Sequence, residues 1–320
     1  MDSPLLSTPG AVPADPPDAE VAAHYGEPSA EQRALATGAA VVDRSNRGVV
    51  RIGGPDRLAY LHSLTSQHLE SLAPRTPAEA LLLSPHGHVE HHLALVDDGD
   101  AVWAHVEPGT AAPLAEFLDR MRFMLRVEVT DESESYAVVT LSGAEPPPDA
   151  LVTTDGLIVP RKDLSRDWQA RLAGLWAHEA LRIAAHRPRL GLDTDHRTIP
   201  HEAGWIDTAV HLDKGCYRGQ ETVARVQNLG RPPRRLVFLH LDGSVDHLPK
   251  HGDPIELGGR VIGFVGSAAR HYELGPIALG MIKRNVPVDE PLLAGGVAAS
   301  QEVIVSPDTG STVKIGLRRR

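Results

Sequence analysis

The double proline Pro232-Pro233 divides the chain into two unlike patterns. Proline lacks a backbone N–H and has a fixed φ, so neither a helix interior nor a central strand continues through the pair. Beyond it, short strands separated by Gly-rich turns are expected over 236–241, 254–257, 260–267, 277–282 and 302–305, a pattern that predicts a small antiparallel barrel. Before it, the hydrophobic period alternates between 3.6 and 2. Helices are expected over 29–37, 55–68, 113–124 and 168–185. Strands are expected over 49–52, 80–84, 89–96, 101–106, 127–130 and 137–141, with 80–84 and 89–96 paired across the turn Pro85-His86-Gly87. The acidic, Pro-rich 144–149 reads as a surface loop. The expected fold class is α+β. Residues 1–30 are read as a mobile Pro/Ala-rich arm, 31–233 as a mixed domain open to subdivision near 131–150, and 234–320 as the barrel.

At 320 residues the chain is long for one core, and 42% hydrophobic content suffices for more than one unit. The formal net charge of −10 argues against a broad duplex-binding surface. The closing Arg318-Arg319-Arg320 is too short to change that, and direct nucleic-acid binding is not expected. The longest apolar runs, such as Ala80-Leu81-Leu82-Leu83, fall far short of the ~20 residues a bilayer requires. With no convincing targeting segment, a cytoplasmic protein is expected. A single cysteine, Cys216, excludes an intrachain disulfide, a thiolate zinc site and a self-contained iron–sulfur site.

That cysteine lies in Asp213-Lys214-Gly215-Cys216-Tyr217-Arg218-Gly219-Gln220-Glu221-Thr222. A thiol reacts as its thiolate, which a nearby ammonium and the N–H groups of a helix start both favour. Residues 222–229 read as a short helix closed by Gly230, which places Cys216 at or just before its start. Free cysteines are usually buried fillers, but a filler does not require Lys214, Arg218, Gln220 and Glu221 around it. The histidines His86, His88, His91 and His92 cluster on one predicted hairpin, with His88 and His92 on one face and His91 on the other. Since 17 histidines are scattered along the chain, solvated or hydrogen-bonded side chains are the simpler reading, and no metal site is assigned.

Lys-Gly-Cys-Tyr-x-Gly-Gln-Glu followed by a Val-Ala-Arg helix resembles the signature of the YgfZ family, folate-binding relatives of the glycine-cleavage T protein. The likeness extends to 181–188, which resembles a Leu-Arg-Ile-Ala-Ala-Gly-x-Pro passage, to Pro200-His201-Glu202, to 49–67 and to 259–280, and covers about residues 38–305. It implies a T-protein-like folate-binding domain followed by a C-terminal β-barrel. The implied ligand is tetrahydrofolate or another reduced folate. The implied role is that of an accessory protein in iron–sulfur cluster assembly or repair, with iron–sulfur enzymes or cluster-assembly proteins as partners and an indirect effect on tRNA-modifying radical enzymes.

The resemblance makes Lys214 and Cys216 the functional pair, whether the thiol forms a mixed disulfide, carries a one-carbon adduct or lends a ligand to a cluster held by a partner. A pterin presents a guanidine-like edge and folate an anionic tail. Glu202, Glu221 and Gln220 are candidates for the edge, Arg225 and Arg234 for the tail, and Tyr217 for stacking. Where T proteins carry an acidic residue that orients the folate, this chain has His91-His92, and Ala184 stands where they usually have Glu. A folate-dependent aminomethyltransferase is therefore the alternative rather than the leading reading, and a folate-sensing interaction protein with an inert thiol is a third.

Overall fold

A computed structural model describes residues 1–309; the basic end Arg318-Arg319-Arg320 lies outside the described residues. The chain begins with a two-stranded ribbon, β1 (Val12–Pro13) and β2 (Ala22–His24). Then come α1 (Pro28–Thr37), β3 (Ala40–Asp43), β4 (Gly48–Gly53), α2 (Arg57–Leu64), β5 (Pro77–Leu83), β6 (Val89–Asp97), β7 (Ala101–Val106), α3 (Ala111–Met121) and β8 (Glu128–Asp131). The order β5-β6-β7-β4-β8 forms one antiparallel sheet. On one of its faces α2 and α3 bury Tyr60, Leu61, Leu114 and Leu118 with Ile52, Leu82 and Leu95. Because β4 is central and covered on both faces, its Val49-Val50 pair is fully buried.

The other face meets a second sheet, built from β9 (Tyr136–Ser142), β10 (Leu151–Thr153), β11 (Gly156–Pro160) and β12 (Arg171–Ala173), in the order β10-β11-β9-β3-β12. Val49, Val96 and Trp103 of the first sheet pack on Val138, Leu151 and Ile158 of the second. Because β3 belongs to this second sheet, no single cut near 131–150 separates the two. The helix α4 (Leu175–Ala184) follows β12 directly. A continuous helix over 168–185 was expected, and the structure divides it. Gly174, unfavourable in a helix interior, stands at the N-cap, and residues 171–173 pair in parallel with β3, whose edge is otherwise open.

Residues 1–30 are not a mobile arm. Val21 and Ala23 are buried with Leu175, Ser3 hydrogen-bonds Asp43, and the buried Asp18 pairs with Arg189 at 2.9 Å. The many prolines mark turns in a packed segment, because its apolar residues find a surface that composition alone does not reveal.

The short helices α5 (Pro200–Ala203) and α6 (Ile206–Ala209) lead through the cysteine loop into α7 (Gln220–Leu229). The strands β13 (Arg234–Leu241), β14 (Pro254–Leu257), β15 (Arg260–His271), β16 (Gly275–Lys283), β17 (Leu292–Ala294) and β18 (Val297–Val303) close into a six-stranded antiparallel barrel. Of the strand expected at 302–305 only 302–303 form, as the end of β18, and the three-residue β17 carried no sequence signal of its own. Ile183 of α4 is buried among Leu236, Phe238 and Met281, so the barrel is seated on that helix. The N–H of Ser267 donates to the buried Asp193 at 2.7 Å, where Gly266 leaves no room for a β-carbon.

Candidate functional site

The cysteine loop is held from below. Lys214 is buried, and its ammonium donates to the backbone oxygens of His62, Thr65 and Gln67. Burial pushes its pKa down to about 8. The Tyr217 ring covers it, with Nζ 4.9 Å from the ring centroid. The ammonium is thus directed at backbone oxygens, not at the neighbouring thiol. Tyr217 is itself buried among Leu81, Leu83, Val89, Trp205 and Val223, and burial pushes its hydroxyl up to about 12. Arg218 ties the loop to β6 through Glu90 at 2.7 Å and lies over Phe117 of α3. Of the two loop glycines, only Gly219 is left-handed, at φ +82, and a β-carbon there would sit 2.6 Å from the Ser84 carbonyl oxygen. It serves as the N-cap of α7. Cys216 is exposed, three residues before that cap and outside the first helical turn.

The residues proposed from the sequence as folate contacts are divided between buried packing and the exposed surface of α7. Glu202 is fully buried: it accepts the Ile199 N–H at 3.1 Å and pairs with Arg234 at 2.8 Å. Asp195 meets the same guanidinium at 2.6 Å. This is a buried lock between α5 and the first barrel strand, so neither Glu202 nor Arg234 is available to a ligand. Glu221 and Arg225 are exposed on α7, Gln220 is half-buried at its start, and Tyr217 belongs to the core. Among the described residues no cluster of three or more histidine, cysteine or carboxylate side chains is arranged to hold a metal ion.

The groups with ligand chemistry converge elsewhere, in a partly open cavity of 150 Å³ where the first sheet, the turn after α4, α5–α6 and the end of the barrel meet. Glu79 of β5 and His92 of β6 face each other in it, with the imidazole Nε2 3.2 Å from a carboxylate oxygen. Burial pushes the Glu79 carboxyl up, but His92, Arg187 and Thr154 outweigh it and leave the pKa lowered. Trp205, its ring 5.0 Å from that of His92, forms a buried wall. Arg187 stands where this cavity adjoins a second of 440 Å³ that shares Asp155, Arg182 and Arg187 with it. Asp155 already pairs with Arg44 at 2.6 Å, so Arg187, at 2.9 Å, shares one carboxylate with another guanidinium. Glu79 is a second carboxylate close to Arg187, so the charges at the junction balance.

Behind the cavity lies a buried ionic network. Arg189 reaches Asp18, Glu107 and Glu179, while Arg182 reaches Glu179, Asp193 and Ser267. Burial pushes the Glu107 carboxyl up, but Arg47 and Arg189 override it and bring it down to about 2. Charges are retained in such an interior because each is paired.

Residues 234–316 match the glycine cleavage T-protein C-terminal barrel domain. An aminomethyltransferase of Symbiobacterium thermophilum is 25% identical over 89% of this chain and 87% of its own. A protein of Arabidopsis thaliana named as a chloroplastic transferase is 25% identical over 79% of this chain and 67% of its own. The crystal structure of glycine cleavage system aminomethyltransferase T from Bartonella henselae superposes with a TM-score of 0.79 over 95% of this chain and 96% of that one, at 18% identity. The chain has the T-protein fold, and its barrel matches the T-protein C-terminal domain. In this T-protein-like fold the cysteine loop and the central cavity are separate places that share a core, since Tyr217 of the loop is buried in one cluster with Trp205 of the cavity wall. Glu79, Arg187 and Trp205 were missed from the sequence. The only available signal was a carboxylate two residues after Pro77 on a strand that reads as apolar, and pairing with β6 was needed to set it beside His92.

Proposed function

We propose that the chain binds tetrahydrofolate or another reduced folate in the central cavity. We further propose that it serves in the cytoplasm as an accessory factor for assembly or repair of iron–sulfur enzymes, tRNA-modifying radical enzymes among them. The observation that carries the folate reading is the convergence of Glu79, His92, Trp205 and Arg187 on one partly open cavity. A carboxylate suits the guanidine-like pterin edge, an indole wall suits a flat ring, and a guanidinium suits the carboxylates of the tail. At 150 Å³ the cavity is well under the roughly 300–1,000 Å³ of a site for a drug-sized ligand. It suits the ring alone, with the tail passing Arg187 into the adjoining cavity. The bound folate would supply a nucleophilic ring nitrogen able to accept a one-carbon unit.

The accessory reading is supported by the separation of Cys216 from that space. The thiol is exposed on a loop anchored by Lys214 and Arg218, which makes it accessible to a protein partner. No helix among the described residues is long and apolar enough to cross a membrane. The second reading, one-carbon transfer, is favoured by Glu79: the carboxylate that His91-His92 lack is supplied by the neighbouring strand.

Anaerobic calorimetry of the wild type and Glu79→Gln with tetrahydrofolate tests the site. Saturable binding, weakened about tenfold or more in the variant, is expected; no binding at millimolar ligand refutes the folate reading. In cells lacking the protein, cluster-enzyme activity restored by wild type but not by Cys216→Ser supports the accessory role, whereas turnover with an aminomethyl donor favours the transferase.

A further inference from the structure

The turn that ends α4 carries a residue ill-suited to its backbone. The His186 N–H bonds the Ile183 carbonyl at 2.9 Å and the Arg187 N–H bonds the Arg182 carbonyl at 3.1 Å, the pair of bonds that closes a Schellman motif. The residue after the cap Ala185 must then be left-handed, and His186 has φ +59. Glycine takes this position without steric cost, and the passage that 181–188 resembles has glycine there. A histidine stands here against the local preference of the chain, and strain of this kind in a cavity wall points to function.

The His186 ring lies in the wall of the central cavity with Glu79, His92, Arg187 and Trp205. It packs on Phe238 of the barrel at 4.9 Å between ring centroids, and neither ring nitrogen hydrogen-bonds a described residue. His92, by contrast, is engaged by Glu79. His186 therefore contributes the uncommitted imidazole of the cavity. A neutral imidazole offers one donor and one acceptor, which suits the adjacent nitrogen and oxygen groups on the edge of a fused heteroaromatic ring.

We propose that His186 contacts the ligand of this cavity and sets its specificity for a planar, nitrogen-rich ring of the pterin class, an inference that rests on the folate reading of the same site. His186→Phe separates this role from packing, because it keeps a ring on Phe238 and keeps the left-handed strain while removing both nitrogens. Calorimetry on the full chain with tetrahydrofolate is expected to show Kd raised about tenfold for His186→Phe, with Tm unchanged. His186→Gly is expected to raise Tm by about 2 °C through relief of the backbone, with binding weakened at least as much. A His186→Phe variant that binds within twofold of wild type overturns the role of His186 and leaves the folate site standing; a lowered Tm for His186→Gly would then identify the residue as packing only. Failure of the wild type to bind overturns both.

Discussion

His91 shows how one side chain couples this fold to pH. It lies on β6 facing away from His92; its Nδ1 is buried without a hydrogen-bond partner, and burial pushes its pKa down to about 4. His178 is brought down to about 3, first by burial and then by Arg44, and His105 is lowered by burial and by Arg47. For each, the folded pKa lies below the unfolded value of about 6.5, so the unfolded chain takes up the proton first as pH falls. Their contribution is complete above pH 6.5 and is lost between 6.5 and the folded pKa. Urea denaturation midpoints should therefore fall between pH 7 and 5. His91→Leu should flatten that dependence by about 1–2 kcal/mol, and an unchanged slope would remove His91 from this account. Lys214, singled out as an ammonium beside the thiol, and Glu202, a candidate for the pterin edge, are both buried and hydrogen-bonded within the protein.

At the scale of elements, α7 and the loop before it depend on one close approach. Gly219 combines a left-handed backbone with contact to the 84–87 turn between β5 and β6. Gly219→Ala meets both obstacles. It should cost about 2 kcal/mol or more and speed amide exchange across 211–229 ahead of the β4–β7 core. Wild-type exchange there would show that the loop adapts without loss. The first sheet and the barrel were legible as strands because alternation and Gly-rich turns are local properties, whereas of the second sheet only β9 was expected. The division at Gly174 was not, since pairing of 171–173 with β3 is a contact over more than a hundred residues.

Across the whole molecule, the first thirty residues are tied to the centre by the buried carboxylate of Asp18 as well as by apolar packing. Asp18 supplies charge to Arg189, which also serves Glu107 and Glu179. Asp18→Ala removes one partner of a buried pair and should destabilise the protein by about 3–5 kcal/mol, read as a large fall in Tm. A silent substitution would restore the view of this segment as a mobile arm. The same network places Arg182 between α4, Asp193 and Ser267, so the N-terminal segment, α4 and the barrel share one electrostatic centre next to the cavity.

Taken alone, the sequence determined the class of the fold, the barrel after Pro232-Pro233 and the prominence of the Cys216 loop, because each is written in contiguous residues. It did not determine which side chains line the central cavity. Glu79, His92, His186 and Trp205 come from four separate segments, and their meeting depends on strand register, a helix cap and the seating of the barrel. Glu202 and Tyr217 are drawn into the core by the same packing, whereas Glu221 and Arg225 stay exposed on α7. Local pattern specifies which elements form, whereas long-range burial and charge pairing decide which of their faces meet.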